Sequence, residues 1–139
     1  MSAVLWALIA MLAYSFVAPF VSRAIGSGMP EFLVLLITSV MLVLASLVVA
    51  ALTGELRVRE LAHPSAWNAY LAGAFLAVGI ITYYRALSLG AVSVVVPIFG
   101  LFIVVSSVVG FVFLDEPFTL RKVVGIVLAG VAVYLVAGT

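Results

Sequence analysis

The fold is decided by the stretch from Thr82 to Ala137, which reads TYYRALSLGAVSVVVPIFGLFIVVSSVVGFVFLDEPFTLRKVVGIVLAGVAVYLVA. It has the pattern of the end of one apolar helix, a short turn of small and polar residues, and two further apolar helices. One dense charged cluster, Asp115 to Lys122, separates the last two helices. A helix needs about 20 mostly apolar residues to cross a bilayer core of about 30 Å. The stretch therefore predicts membrane-spanning helices.

The composition of the whole chain agrees with that prediction. Its 139 residues are 68% hydrophobic and 8% charged, whereas about a quarter of the residues of a soluble domain are charged. We expect a single domain over residues 1–139. The net charge of +1 and the lack of a basic stripe indicate no nucleic-acid partner. The absence of cysteine excludes disulfides, thiolate metal sites and a cysteine nucleophile.

Five segments are long and apolar enough to span a membrane, which predicts an all-α integral membrane protein built as a five-transmembrane-helix bundle. The first lacks a basic leader, so we read it as a retained helix and not as a cleaved signal. The longest polar connection, Thr53 to Ser65, lies between the second and third segments. The predicted spans run from about Ala3 to Ser22, Glu31 to Leu52, Ala66 to Leu87, Ala91 to Leu114 and Thr119 to Ala137.

Basic residues in the connections predict the orientation. An odd number of spans puts the two termini on opposite sides of the membrane. The positive-inside rule favours a cytoplasmic N-terminus and an outside C-terminus in a multi-pass protein of the cell membrane. The difference is small enough to allow insertion in both orientations. The N-terminal side carries Arg57, Arg59, Arg121 and Lys122, and the other side carries Arg23 and Arg85.

Pro97 is the most informative backbone position in the predicted fourth helix. Proline lacks the amide hydrogen, so the carbonyl of Ser93 loses its helical partner and the helix is expected to kink, with Gly100 adding pliancy. Interrupted helices expose backbone groups to substrate in some transporters. An inert kink, tolerated by neighbouring helices, is an equally weighted interpretation.

Hydroxyl groups inside the predicted spans are the other polar candidates. Tyr14 and Ser15 lie about 17 Å into the first helix, near the centre of the bilayer. A hydroxyl in hydrocarbon needs a partner; for Ser15, Thr38 and Ser39 a bond to the same helix is the commoner case, whereas Tyr14 suits contact with an aromatic or amphipathic substrate. The candidates for a substrate path are Tyr14, Ser15, Ser39, Tyr83, Tyr84, Pro97 and Ser106.

The charged cluster before the last helix is interpreted as an interfacial motif of Glu116, Thr119, Arg121 and Lys122, with gating as a minority alternative. Cations at a helix start oppose the helix dipole, so their position is better explained by topology and anionic head groups. The single His63 has no spaced carboxylates, which predicts no metal site. We find no catalytic motif, and predict that the protein is not an enzyme.

The second half of the chain carries several motifs in a fixed order. They are Tyr84 to Ala91 (YRALSLGA), Pro97, Phe113 to Thr119 (FLDEPFT), Val124-Gly125-Ile126 and Gly130-Val131. This order resembles the second half of an EamA domain, the repeat unit of the drug/metabolite transporter superfamily. Five spans over 139 residues match one complete repeat.

The resemblance implies a carrier or exporter subunit for a small neutral or amphipathic metabolite, working as a dimer and needing no cofactor. Members commonly carry two repeats in inverted orientation, so a lone repeat implies pairing with an oppositely inserted copy or with a paralogue. Relatives that export cationic drugs use a glutamate in the first helix, and this chain has none there. Two alternatives remain open: a non-transporting assembly or regulatory partner, and a subunit of a flippase for lipid-linked substrates.

Overall fold

A computed structural model of the protein describes residues 2–113 and 119–137, and these residues form α-helices, short turns and one 3-10 helix, without a strand. This confirms the prediction of an all-α membrane bundle. The 3-10 helix, Val58–Ala62, lies in the polar connection. The α-helices are α1 Ala3–Ser15, α2 Val17–Gly26, α3 Glu31–Leu52, α4 Ala66–Leu89, α5 Val92–Gly100, α6 Phe102–Phe113 and α7 Leu120–Ala137.

Four helical stretches of the described residues are long and apolar enough to cross a membrane: Ala3–Gly26, Glu31–Leu52, Ala66–Leu89 and Val92–Phe113. They correspond to the first four predicted spans, and α7 corresponds to the fifth. Thr119, where the fifth span was predicted to begin, is the N-cap of α7, because its Oγ1 accepts a hydrogen bond from the Lys122 amide at 3.3 Å. The bounds of the second span agree with the prediction residue for residue.

The first predicted span is present as the helical stretch Ala3–Gly26, with an interruption that sequence analysis did not predict. It is interrupted at Phe16, whose amide bonds to the Ala13 carbonyl at 3.3 Å, one residue short of the usual α-helical partner. The cause is Pro19, which has no amide hydrogen for the Ser15 carbonyl and whose ring crowds that carbonyl. The chain relieves this crowding by breaking the helix one turn before the proline.

The fourth span is also interrupted, at Leu101. The helix α5 continues through Pro97, and the break follows Gly100, where the Leu101 amide bonds to the Ile98 carbonyl at 3.1 Å. Sequence analysis expected the kink at the proline and named Gly100 as the pliable position. The structure puts the discontinuity at the glycine end, where the backbone is least restricted.

Two helices end in the same glycine-dependent cap. At the end of α3, Gly54 has φ +71°, its amide bonds to the Ala51 carbonyl, and the Glu55 amide bonds to the Ala50 carbonyl. Gly28, with φ +100°, ends α2 in the same way. This six-residue cap satisfies the last carbonyls of the helix and needs a left-handed residue that glycine adopts without strain.

The chain divides into two compact units, Met1–Ser88 and Leu89–Thr139. In the first unit the buried residues come from α2, α3 and α4. In the second unit α7 packs against α5 and α6, and Gly110 of α6 is buried. A single domain over residues 1–139 stays a prediction.

Candidate functional site

The buried side chains of the first unit lie together at one end, which we call the packed end. Its apolar core consists of Ala18, Val21, Val34, Tyr84 and Leu87. These residues belong to the second half of the first span, the start of α3 and the last turns of α4. The C-terminal end of α4 lies beside the N-terminal end of α3, so the two helices are antiparallel neighbours.

A hydrogen bond joins α3 to α4 inside this core. The Tyr84 hydroxyl lies 2.8 Å from Thr38 Oγ1, and Tyr84 is 2% exposed. Thr38 Oγ1 also lies 2.9 Å from the Leu35 carbonyl oxygen. A threonine hydroxyl has a single proton, and the carbonyl can only accept. We therefore assign the phenol as donor to Thr38 and Thr38 as donor to the carbonyl.

An ion pair closes the same end at the helix termini. Arg85 Nη1 lies 2.7 Å from Glu31 Oε1, where α3 begins. The Glu31 side chain is 16% exposed and that of Arg85 is 56% exposed, so the pair lies at the rim of the core. Sequence analysis named Arg85 only as one of the basic residues that predict the orientation. The structure gives it a carboxylate partner 54 residues earlier in the chain.

Away from the packed end, the helices of the first unit leave their sides uncovered. All described residues in the ranges 2–16, 40–49 and 67–78 are exposed in the single chain. These ranges are the first half of the first span, the second half of α3 and the first half of α4. The helices of the first unit therefore pack together at the packed end, and their side chains are exposed towards the other end.

Two predicted path residues lie at the interruption of the first span. Tyr14 is 69% exposed and its hydroxyl forms no hydrogen bond with any described residue. The Ser15 hydroxyl donates to the Met11 carbonyl at 2.8 Å, which is the bond to its own helix that sequence analysis favoured. Next to the interruption, Pro19 leaves the Ser15 carbonyl without the usual helical donor.

The remaining path candidates of the first unit lie near its packed end. Ser39 is half-buried beside Thr38, and its hydroxyl has no hydrogen-bond partner among the described residues. Tyr83 is half-buried, and its ring meets that of Tyr84 edge-on with centroids 6.5 Å apart. Tyr84 is fully engaged in the core, which gives it a structural part in this conformation.

The structure describes both predicted candidates of the second unit. Pro97 lies within α5. The Ser106 hydroxyl donates to the Phe102 carbonyl of its own helix at 2.7 Å. Both remain predictions as path residues.

The interfacial motif is described only in part, since Glu116 lies outside the described residues. Lys122 Nζ lies 5.8 Å from the centre of the Phe111 ring, in the range of a cation–π contact. Arg121 and Lys122 line a cleft of about 320 Å³ between α6 and α7. The motif stays a prediction. Among the described residues no group of three or more His, Asp or Glu side chains is arranged to hold a metal ion.

Sequence reasoning missed three features of the first unit. It did not pair Glu31 with Arg85, although both lie on the same side of the membrane at the meeting ends of consecutive spans. It treated Thr38 only as a hydroxyl bonded to its own helix, and it took no account of Pro19. The pairing of Glu31 with Arg85 could have been inferred from the topology. The partner of Thr38 could not, because it depends on the rotation of α4 about its axis, and the small and apolar residues of that helix do not determine this rotation.

The four helical stretches that are long and apolar enough to cross a bilayer define a multi-pass membrane protein in contact with lipid. A family model described as the EamA-like transporter family matches residues 1–138. The chain belongs to this family of transporters. Neither a curated protein nor a solved structure matches the chain.

Proposed function

We propose that the protein is one half of a carrier that moves a small neutral or amphipathic metabolite across the cell membrane, completed by a second copy inserted in the opposite orientation. The observation that supports this most directly is the closure of the first unit at one end only. Glu31 and Arg85 close the rim, and the Tyr84–Thr38 hydrogen bond closes the core behind it.

A carrier has to expose its site to one side at a time, and inverted repeats supply two closures of the same kind on opposite sides. In one copy, the packed end closes the protein on one side of the membrane only. An inverted copy places the same closure at the other side. The uncovered ranges 2–16, 40–49 and 67–78 supply the surface that such a copy can cover.

The expected substrate follows from the polar groups on the uncovered side. These include the phenol of Tyr14 and the Ser15 carbonyl released by Pro19, whereas Glu31 and Arg85 neutralise one another at the rim. An ionised side chain near the bilayer centre is costly, and its absence from the described spans favours an uncharged or amphipathic solute over a strongly ion-coupled one. The proposed path residues are Tyr14, Ser15, Ser39 and Tyr83.

The test is exchange of solutes by purified full-length protein in phospholipid vesicles. The vesicles are loaded with a defined mixture of common amino acids, hexoses and neutral drug-like aromatics, and the contents are followed by mass spectrometry. We expect at least one class to leave faster than from protein-free vesicles, and Tyr14→Ala to slow it. Tyr134→Ala, which replaces a similarly exposed tyrosine on α7, is the matched control.

Two results would contradict the proposal. If no solute leaves above background, the non-transporting alternative gains support. If only a fluorescent phospholipid included in the same vesicles changes leaflet, the flippase alternative does.

Orientation is tested separately with reporters fused to the C-terminus that are active on only one side of the membrane. An antiparallel pair of identical chains requires signal from both sides. Signal from the outside alone contradicts the homodimer and redirects the search to an oppositely oriented paralogue. Adding two arginines beside Arg57 should then fix one orientation and, if the homodimer is correct, abolish exchange.

A further inference from the structure

The connection between α3 and α4 folds back against the start of α4. We call residues Glu55 to Ser65 the interfacial turn. It joins the ends of two helices that are long and apolar enough to span a bilayer, so its two ends are held at the membrane surface. Gly54, in its left-handed conformation, ends α3 and redirects the chain into this turn.

One hydrogen bond fixes the level of the turn relative to α4. The Tyr70 hydroxyl donates to the Leu61 carbonyl at 2.9 Å. Tyr70 is four residues beyond Ala66, the first residue of α4, which corresponds to about 6 Å of helix rise. Leu61 is therefore held beside the first turns of the spanning helix instead of extending away into water.

Three apolar side chains of the turn are exposed. Leu56, Val58 and Leu61 are 58%, 77% and 62% exposed. Trp67 and Tyr70, residue types that concentrate at membrane–water interfaces, are exposed at the same level of α4. Together they form an apolar surface at the membrane boundary.

The charged side chains of the turn are not used to satisfy one another. Glu55, Arg57, Arg59 and Glu60 form no ion pair with any described residue, although two acidic and two basic side chains lie within six positions. A cleft of about 500 Å³ lies between the turn and the start of α4, lined by apolar Leu56, Val58 and Leu61 and by charged Glu55 and Arg57, among others. Phospholipid provides both kinds of partner, since its phosphates bind guanidinium groups and its acyl chains cover apolar surface.

We propose that the interfacial turn is a lipid-binding surface that lies in the headgroup region of the same membrane. Leu56, Val58 and Leu61 enter the boundary between headgroups and acyl chains, which is where the apolar face of an interfacial segment lies. Arg57 and Arg59 contact lipid phosphates. The Tyr70–Leu61 hydrogen bond holds the turn at this depth.

The sequence has no cysteine, so a single introduced cysteine can be labelled uniquely with an environment-sensitive fluorophore. The full-length chain carrying Val58→Cys, Leu61→Cys or, as the control on the same turn, Glu60→Cys is placed in vesicles of phosphatidylethanolamine and phosphatidylglycerol. We expect the labels at Val58 and Leu61 to be quenched by nitroxide lipids labelled high on the acyl chain. The label at Glu60 should be quenched mainly by aqueous iodide.

Tyr70→Phe provides the second measurement, because it removes the hydroxyl while keeping the ring. In that background we expect the label at Leu61 to lose lipid quenching several-fold and to gain iodide quenching. Helical content by circular dichroism checks that each variant is folded. Equal iodide quenching at all three positions would overturn the proposal, as would a Tyr70→Phe variant with unchanged depth. The measurement requires no transported solute, so it stands or falls independently of the carrier proposal.

Discussion

The phenolic oxygen of Tyr84 lies 2.8 Å from Thr38 Oγ1, across a separation of 46 residues in the sequence. This contact ties the last turns of α4 to the first third of α3, within the apolar core that includes Val34 and Leu87. The Thr38 hydroxyl donates its own proton to the Leu35 carbonyl at 2.9 Å. Removing one partner therefore has a different consequence from removing the other.

Replacing Thr38 should destabilise the fold more than replacing Tyr84. Tyr84→Phe leaves Thr38 bonded to its carbonyl and should lower the free energy of unfolding by about 0.5–1.5 kcal/mol. Thr38→Val leaves the buried phenol without its partner and should cost about 1–3 kcal/mol. The double variant should lie close to Tyr84→Phe, because no polar group is then stranded. Reversible unfolding in mixed micelles measures all three, and strict additivity would contradict the assigned hydrogen bond.

Reversing the charge of either Glu31 or Arg85 alone should destabilise the fold, whereas reversing both together should be tolerated. Glu31→Arg puts two guanidinium groups together, and Arg85→Glu two carboxylates, so each should lower the thermal midpoint. The double reversal should recover part of the loss. Because the pair is at the surface, added salt should raise the midpoint of the single variants by screening repulsion. Arg23→Glu is the control, since Arg23 forms no ion pair with any described residue; an equal effect there would show a general charge effect.

Glycine-to-alanine substitutions should have opposite signs at two positions. Gly54 has φ +71°, and a methyl group added there would meet no described atom within 4 Å apart from its chain neighbours, so Gly54→Ala strains only the backbone and should cost about 1–2 kcal/mol. Gly73, inside α4, is equally open. Gly73→Ala should therefore stabilise the single chain by up to about 1 kcal/mol through helix propensity. Unfolding of the monomer in detergent compares the two, and a loss at Gly73 would contradict the open surface.

Pro19→Ala should join α1 and α2 into one helix. The restored amide can donate to the Ser15 carbonyl, and the ring that crowds this carbonyl is removed. Hydrogen exchange should slow for the amides of residues 16–18 and 20. Pro30→Ala is the matched control, because Pro30 is the N-cap of α3 and precedes the first residue of that helix. If the exchange of these amides stays unchanged, the interruption at Phe16 has another cause.

The spans could be predicted from the sequence because length and hydropathy alone determine them. The run from Glu31 to Leu52 contains no polar stretch long enough to make its limits ambiguous. Its predicted bounds are those observed. The interruption at Phe16 was missed because hydropathy does not change there; only the missing amide of Pro19 signals it. The break beside Gly100 was partly anticipated, since a proline and a glycine occur in the same span.

The packed end could not be predicted in the same way. The almost uniformly apolar surfaces of these helices give no favoured rotation, so the sequence does not show that Thr38 faces Tyr84. The ion pair of Glu31 and Arg85 was easier to predict, because the sequence shows opposite charges at helix ends that lie on the same side of the membrane. The exposed side chains of the interfacial turn escaped notice because their sequence is that of an ordinary polar connection.

The position of the packed end along the chain sets an order for biosynthesis. Its residues come from the second half of the first span, the start of α3 and the last turns of α4. In a chain synthesised in N-to-C order, the first two spans are therefore complete before either Tyr84 or Arg85 has been made. The first unit can close only after residue 88, so until then the nascent protein is held in the bilayer by its apolar surface and not by its tertiary contacts.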